Sequence, residues 1–161
     1  MNYCTSLRNV AAGLAIGLAA LSVQAAANNG LPEIRTVNSQ VPFDTMVQRL
    51  EKSIVDNKMG LVAQASASKG AASKGIKIPG NAVLMVFRPD FAVRMLKASI
   101  AAGFEAPLRI YITENADGTT SVSYRTPSVV FSPYRNSELD ALATELDPIF
   151  DRIVGDAVQG R

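Results

Sequence analysis

Arg109 and Arg125 are the residues of this chain whose types and spacing could do chemistry. Between them lies Asn115-Ala116-Asp117-Gly118, flanked by two apolar-alternating segments. A three-residue loop, Ala116-Asp117-Gly118, with glycine in the left-handed bulge position pairs Asn115 with Thr119. That register sets Ile112 opposite Val122 and Ile110 opposite Tyr124, one coherent apolar face. Slipping by one residue would waste that burial. The same register sets Arg109 directly opposite Arg125, with Tyr111 and Ser123 next along their face. Like charges directly opposed destabilise a sheet unless something negative lies between them. A small anionic or carboxylate ligand, a protein carboxylate such as Glu105, or a facing subunit would each meet that demand. The planar guanidinium fork suits all three, since it binds carboxylate or phosphate bidentately. The functional reading takes Arg109 and Arg125 as an anion clamp, Tyr111 as an orienting hydroxyl and Arg88, from a neighbouring strand end, as a third cation. The alternative is a solvated sheet face whose arginines lie flat or pair with acidic neighbours.

Other chemistries lack their residues. The chain has no histidine and a single cysteine, Cys4. Imidazole bases, thiolate nucleophiles, structural zinc, disulfide frameworks and the usual haem ligands all need what is absent. A metal would have to be held by oxygen ligands, yet the carboxylates are scattered and form no calcium-loop spacing. We therefore expect no metal and no cofactor. Sixteen Lys and Arg against fourteen Asp and Glu, without a basic run interleaved with aromatics, argue against a nucleic-acid partner.

The first twenty-five residues read as an export address. Arg8 is a short positive start, Val10 to Val23 is an apolar run, and Val23-Gln24-Ala25 and Ala25-Ala26-Ala27 are small-residue cleavage patterns. A run of about fourteen residues suits a signal peptide, whereas a spanning helix needs about 20. We expect cleavage after Ala25 or Ala27, a periplasmic or secreted protein, and membrane contact only through the uncleaved leader. Removal of the leader leaves about 135 residues and no cysteine, enough for one domain with a real core.

The elements that must position the arginines follow from periodicity. After a polar start at Asn28 to Gly30, Glu33 to Ser39 serves as a first strand, and the segment 26–40 leads into a domain spanning 41–155. Phe43, Met46, Val47, Leu50 and Ile54 recur at helical spacing from Phe43 to Lys58. Leu61 to Ala67 is a second strand. The Ser66 to Gly75 stretch reads as a short Ala-rich helix capped by Ser68 and ended by Gly75, since its Ser-Lys-Gly pieces lack phosphate-loop spacing. Ala82 to Phe87, apolar at every position, suits a strand buried on both faces. Asp90 can cap a helix running to about Ala101. Pro127 and a brief apolar piece, Val129-Val130-Phe131, follow the hairpin. Ser137-x-x-Asp140 then opens a last helix, with a kink or break expected at Pro148 and a frayed tail from Gly155, 156–161 included.

Several of these segments, in order, resemble a known family. They are Phe43-Asp44-Thr45 to Ile54, Gly75-Ile76-Lys77-Ile78-Pro79, Val86-Phe87-Arg88-Pro89, Ala106-Pro107-Leu108-Arg109-Ile110, Asp117-Gly118 and Val122-Ser123-Tyr124-Arg125-Thr126-Pro127. The stretch from about Phe43 to Pro127 is similar to the bacterial and archaeal family catalogued as domain of unknown function 302. The resemblance implies a compact α+β domain, often behind an export signal and apt to dimerise, with no established activity. Two departures from the family pattern stand out: Phe87-Arg88-Pro89 replaces a Gly-Asn-Pro turn, and Ala65 to Ser73 lacks a histidine that some members carry.

Together these readings give an α+β fold: a single two-layer domain, mostly antiparallel, with helices packed mainly on one face. The role expected is non-catalytic binding of a small anionic or amphipathic ligand or of a protein partner, as a homodimer. One rival is a hydrolase- or lyase-type enzyme using Tyr, Arg and carboxylates. Another is a structural or stress-related envelope protein without a small ligand.

Overall fold

Alternation along the strands gives this chain one sheet face to bury. Ile110, Ile112, Val122, Tyr124, Ala82, Leu84 and Val86 all turn the same way and are buried. The computed structural model describes residues 33–161; the segment read as an export leader and Asn28 to Gly30 lie outside the described residues. The strands are β1 (Arg35–Ser39), β2 (Gly60–Ala65), β3 (Asn81–Phe87), β4 (Leu108–Glu114) and β5 (Thr120–Tyr124). They form one sheet in the order β1-β5-β4-β3-β2, and every neighbouring pair is antiparallel. Five α-helices accompany it: α1 (Phe43–Asp56), α2 (Ala67–Ala72), α3 (Pro89–Ala98), α4 (Pro127–Phe131) and α5 (Ser137–Gln159). The chain is thus the α+β domain that its patterning implied.

Since β1 and β2 are the two edges of the sheet, α1 has to cross its whole width to join them. It does so with Met46, Val47, Leu50 and Ile54 buried. The long α5 lies beside it and buries Leu139, Leu142, Leu146, Phe150 and Ile153. Full burial of one such side chain stabilises the fold by about 1.5–3 kcal/mol, so these two stripes hold the helix layer to the sheet. Between them the buried Ser53 hydroxyl donates to the Ile153 carbonyl at 2.9 Å, which satisfies a polar group that burial would otherwise penalise.

Several local expectations need correction. β3 is interior to the sheet, but Val83, Met85 and Phe87 are only half-buried, because helices cover one face and their side chains occupy the other. The short helix α2 is capped by Ser66, whose Oγ accepts from the Lys69 amide, while Ser68 bonds the Asn81 backbone instead. At α3 the cap position is Arg88, with Pro89 first in the helix, and Asp90 sits in the first turn, where its charge favours the helix dipole. Asn136, rather than Ser137, caps α5 through the amides of Glu138 and Leu139.

α5 then runs through Pro148 without a break and does not fray at Gly155. Pro148 is exposed, so the Thr144 carbonyl that it leaves without a donor also faces solvent. Val154 and Ala157 are buried, which holds the last turns down until Gly160, at φ 74°, ends the helix.

Candidate functional site

The β4–β5 hairpin closes as its turn chemistry requires. The Asn115 amide donates to the Thr119 carbonyl at 2.8 Å, and Gly118 takes φ 80°. Asp117 Oδ1 accepts from the Thr119 amide and hydroxyl, and those two bonds hold its carboxyl below the usual range. The ladder pairs Ile112 with Val122 and Ile110 with Tyr124. The ladder ends there: Arg109 is the next residue on β4 and Arg125 the first beyond β5, by the sheet face that helices leave open.

There the two arginines line one open cavity of about 300 Å³. Tyr111, Ser123 and Glu105 line it too, and Ile34, Val83, Leu108 and Val130 supply apolar walls from four separate segments. Among the described residues, neither Arg109 nor Arg125 takes part in an ion pair or a side-chain hydrogen bond. Arg35 holds Asp151, Arg88 holds Asp90 and Arg94 holds Glu145, whereas Arg49, Arg135 and Arg161 are, among the described residues, unpaired like the cavity arginines but do not line it. Glu105 does not neutralise the pair either; its Oε1 accepts from the Tyr134 hydroxyl at 3.1 Å. The Tyr134 proton is correspondingly held more tightly than in a free phenol, first through desolvation and then through Glu105.

Tyr111 lines the cavity with its hydroxyl already accepting one bond. The hydroxyl accepts from the Asn81 side-chain amide, and Asn81 pairs with Thr113, one step further from the arginines than Tyr111 itself. Ser123 is also engaged, its hydroxyl sharing a 2.9 Å bond with Thr36. Arg88 lies elsewhere. Its Nε and Nη2 bind Asp90 at 2.7 and 3.0 Å, and its guanidinium covers the Phe91 ring at 3.9 Å. That pairing holds the Asp90 carboxyl below its ordinary range. Asp90 is only two residues away, so the sequence did carry the signal that Arg88 has a local partner.

Tyr124 also borders the cavity, although its side chain is buried on the helix side of the sheet. It is 6% exposed, and its hydroxyl donates to Asp151 Oδ1 at 2.7 Å rather than to a backbone carbonyl. Arg35 Nη1 holds the same carboxylate at 2.8 and 3.0 Å. Burial pushes the Tyr124 phenol up, and its bond to Asp151 adds to the rise. This Arg35–Asp151–Tyr124 network joins three residues from distant parts of the chain, and no local pattern announces it.

Among the described residues, no group of three or more Cys, Asp or Glu side chains is placed to hold a metal ion. Nor is any helix among them long and apolar enough to cross a membrane.

A five-stranded antiparallel sheet, helices across one face and a small charged cavity at the end of its hairpin define the two-layer α+β class to which the chain conforms. The chain belongs to the family described as "Domain of unknown function DUF302", whose sequence profile matches residues 35–157. The crystal structure of an uncharacterised conserved DUF302 protein from Bacillus stearothermophilus is similar in fold, with a TM-score of 0.68 at 21% sequence identity. The match covers 78% of this chain and 97% of that one. No curated protein matches the chain.

Proposed function

We propose that the protein is an exported, periplasmic or secreted, binding domain that takes a small anionic ligand between Arg109 and Arg125. The observation that carries the reading is that both guanidinium groups line one cavity while neither is ion-paired among the described residues. An arginine pair that no carboxylate bridges attracts whatever anion fits, and the guanidinium fork matches a carboxylate or an oxyanion in two parallel bonds. Tyr111 contributes its ring as a wall, and Arg88 has no part in the site.

The reading includes a homodimer. Among the described residues both sheet edges, β1 and β2, lack a neighbouring strand, and β2 carries no charged residue that would discourage pairing. Export rests on the leader's pattern of charge, apolar run and cleavage site.

A thermal-shift screen of the leaderless protein against carboxylates, phosphate, sulfate and sulfur oxyanions tests the site. A ligand that binds only the folded chain must raise its apparent stability, by about 2.7 kcal/mol at a hundredfold excess over Kd. The proposal predicts a saturable rise with at least one anion that Arg109→Gln and Arg125→Gln each remove. No rise with any of them would overturn it.

A further inference from the structure

The lining of the cavity says more than that the ligand is negative. Two guanidinium groups bring two positive charges, and Glu105 brings one negative charge into the same wall. Because Glu105 is bonded to Tyr134 and not to either arginine, its charge is not cancelled locally and opposes a second negative charge on the ligand. One net positive charge matches a monoanion. The remaining walls are apolar: Ile34 ahead of β1, Val83 on β3, Leu108 on β4 and Val130 on α4 converge there from separate elements. Ile34 is 50% exposed and Tyr111 40%, so apolar surface remains uncovered at the rim. Of the polar groups there, Ser123 shares a bond with Thr36, and the Tyr111 hydroxyl accepts from Asn81 and keeps its own proton to donate to an anionic head.

Resting on the anion-site reading above, we infer that the ligand is a small amphiphilic monoanion, a carboxylate or sulfonate on an alkyl or aryl body. Its head sits between Arg109 and Arg125, and its body lies against Ile34, Val83 and the Tyr111 ring. At about 300 Å³ the cavity is at the lower end of the range for ligand sites, so it suits one short chain or one ring.

The test is a calorimetric titration of the leaderless protein, at fixed ionic strength, with acetate, butanoate, octanoate, 1-octanol and inorganic phosphate. Each methylene that leaves water strengthens binding about fourfold, so octanoate is expected to bind at least about tenfold tighter than acetate. Arg109→Gln and Arg125→Gln are expected to abolish octanoate binding, whereas Ile34→Ser and Val83→Thr reduce the preference for octanoate over acetate. Melting of each variant without ligand confirms that it is folded. If acetate or phosphate binds as tightly as octanoate, the amphiphile is wrong and the anion site stands. If 1-octanol equals octanoate, or octanoate binding survives both arginine substitutions, both readings fall. If none of the five binds, both fall as well.

Discussion

Arg109 and Arg125 bring two positive charges to one cavity without an ion pair, and their mutual repulsion is measurable. Opposed like charges across two strands destabilise a sheet by a fraction of a kcal/mol to about 1 kcal/mol. Arg109→Gln is therefore expected to raise stability by about 0.2–1 kcal/mol in anion-free buffer, read from urea unfolding, while it removes the ligand response. Tyr124 is the opposite case, a phenol whose bond the fold uses. Tyr124→Phe loses one bond to the Asp151 carboxylate and should cost about 1–2 kcal/mol, since Arg35 still holds that carboxylate at a part-exposed position. The phenol also titrates higher in the folded chain than in the unfolded one. Its contribution is complete below the unfolded value near 10 and is lost as pH rises through the raised folded value. Melting temperature should fall in that alkaline window, and Tyr124→Phe should flatten the fall; the residual slope belongs to Tyr134, which is raised for similar reasons. An unchanged alkaline slope would contradict the role given to Tyr124.

At the scale of elements, what could be read from the sequence was what neighbouring residues decide. The hairpin register was legible because Asn115, Asp117, Gly118 and Thr119 set it among themselves, and the stripe of α1 was legible because it repeats at one spacing. The course of α5 was not. Its last turns are held by burial against α1, about a hundred residues away in sequence, so a glycine and a proline that look like stops are overridden by packing. β3 misled for another reason: a segment apolar throughout does not reveal which face helices will cover. Among the site residues, the arginine pair followed from the hairpin alone, whereas the walls at Ile34, Val83 and Val130 depended on strand order. The Pro148 position yields a prediction of its own. Because Pro148 is exposed and its missing amide leaves the Thr144 carbonyl without a donor, Pro148→Ala should stabilise the protein by roughly 1–3 kcal/mol, measured by urea unfolding. Destabilisation would mean that the ring packs in a way its exposure does not suggest. Conversely, Asn136→Ala should cost about 1 kcal/mol by removing two bonds to the first turn of the same helix.

For the whole molecule, the proposals of export and dimerisation are separable from the site. Mass measurement of protein recovered from the periplasmic fraction of a Gram-negative host should give a chain beginning at Ala26 or Asn28. A full-length mass would contradict export with cleavage. Sedimentation should give a dimer, and Val62→Lys, on the uncharged β2 edge where Val62 is 53% exposed, should give a monomer if that edge pairs. The family membership and the antiparallel sheet stand whatever these measurements return, because neither depends on what the cavity holds.

If Arg109 and Arg125 act on one ligand together, a double-mutant cycle on octanoate affinity will show it. With Arg109→Gln, Arg125→Gln and the pair combined, each single change is expected to remove nearly all binding and the second to remove little more. Losses that simply add, each arginine contributing the same whether or not the other is present, would contradict a shared site.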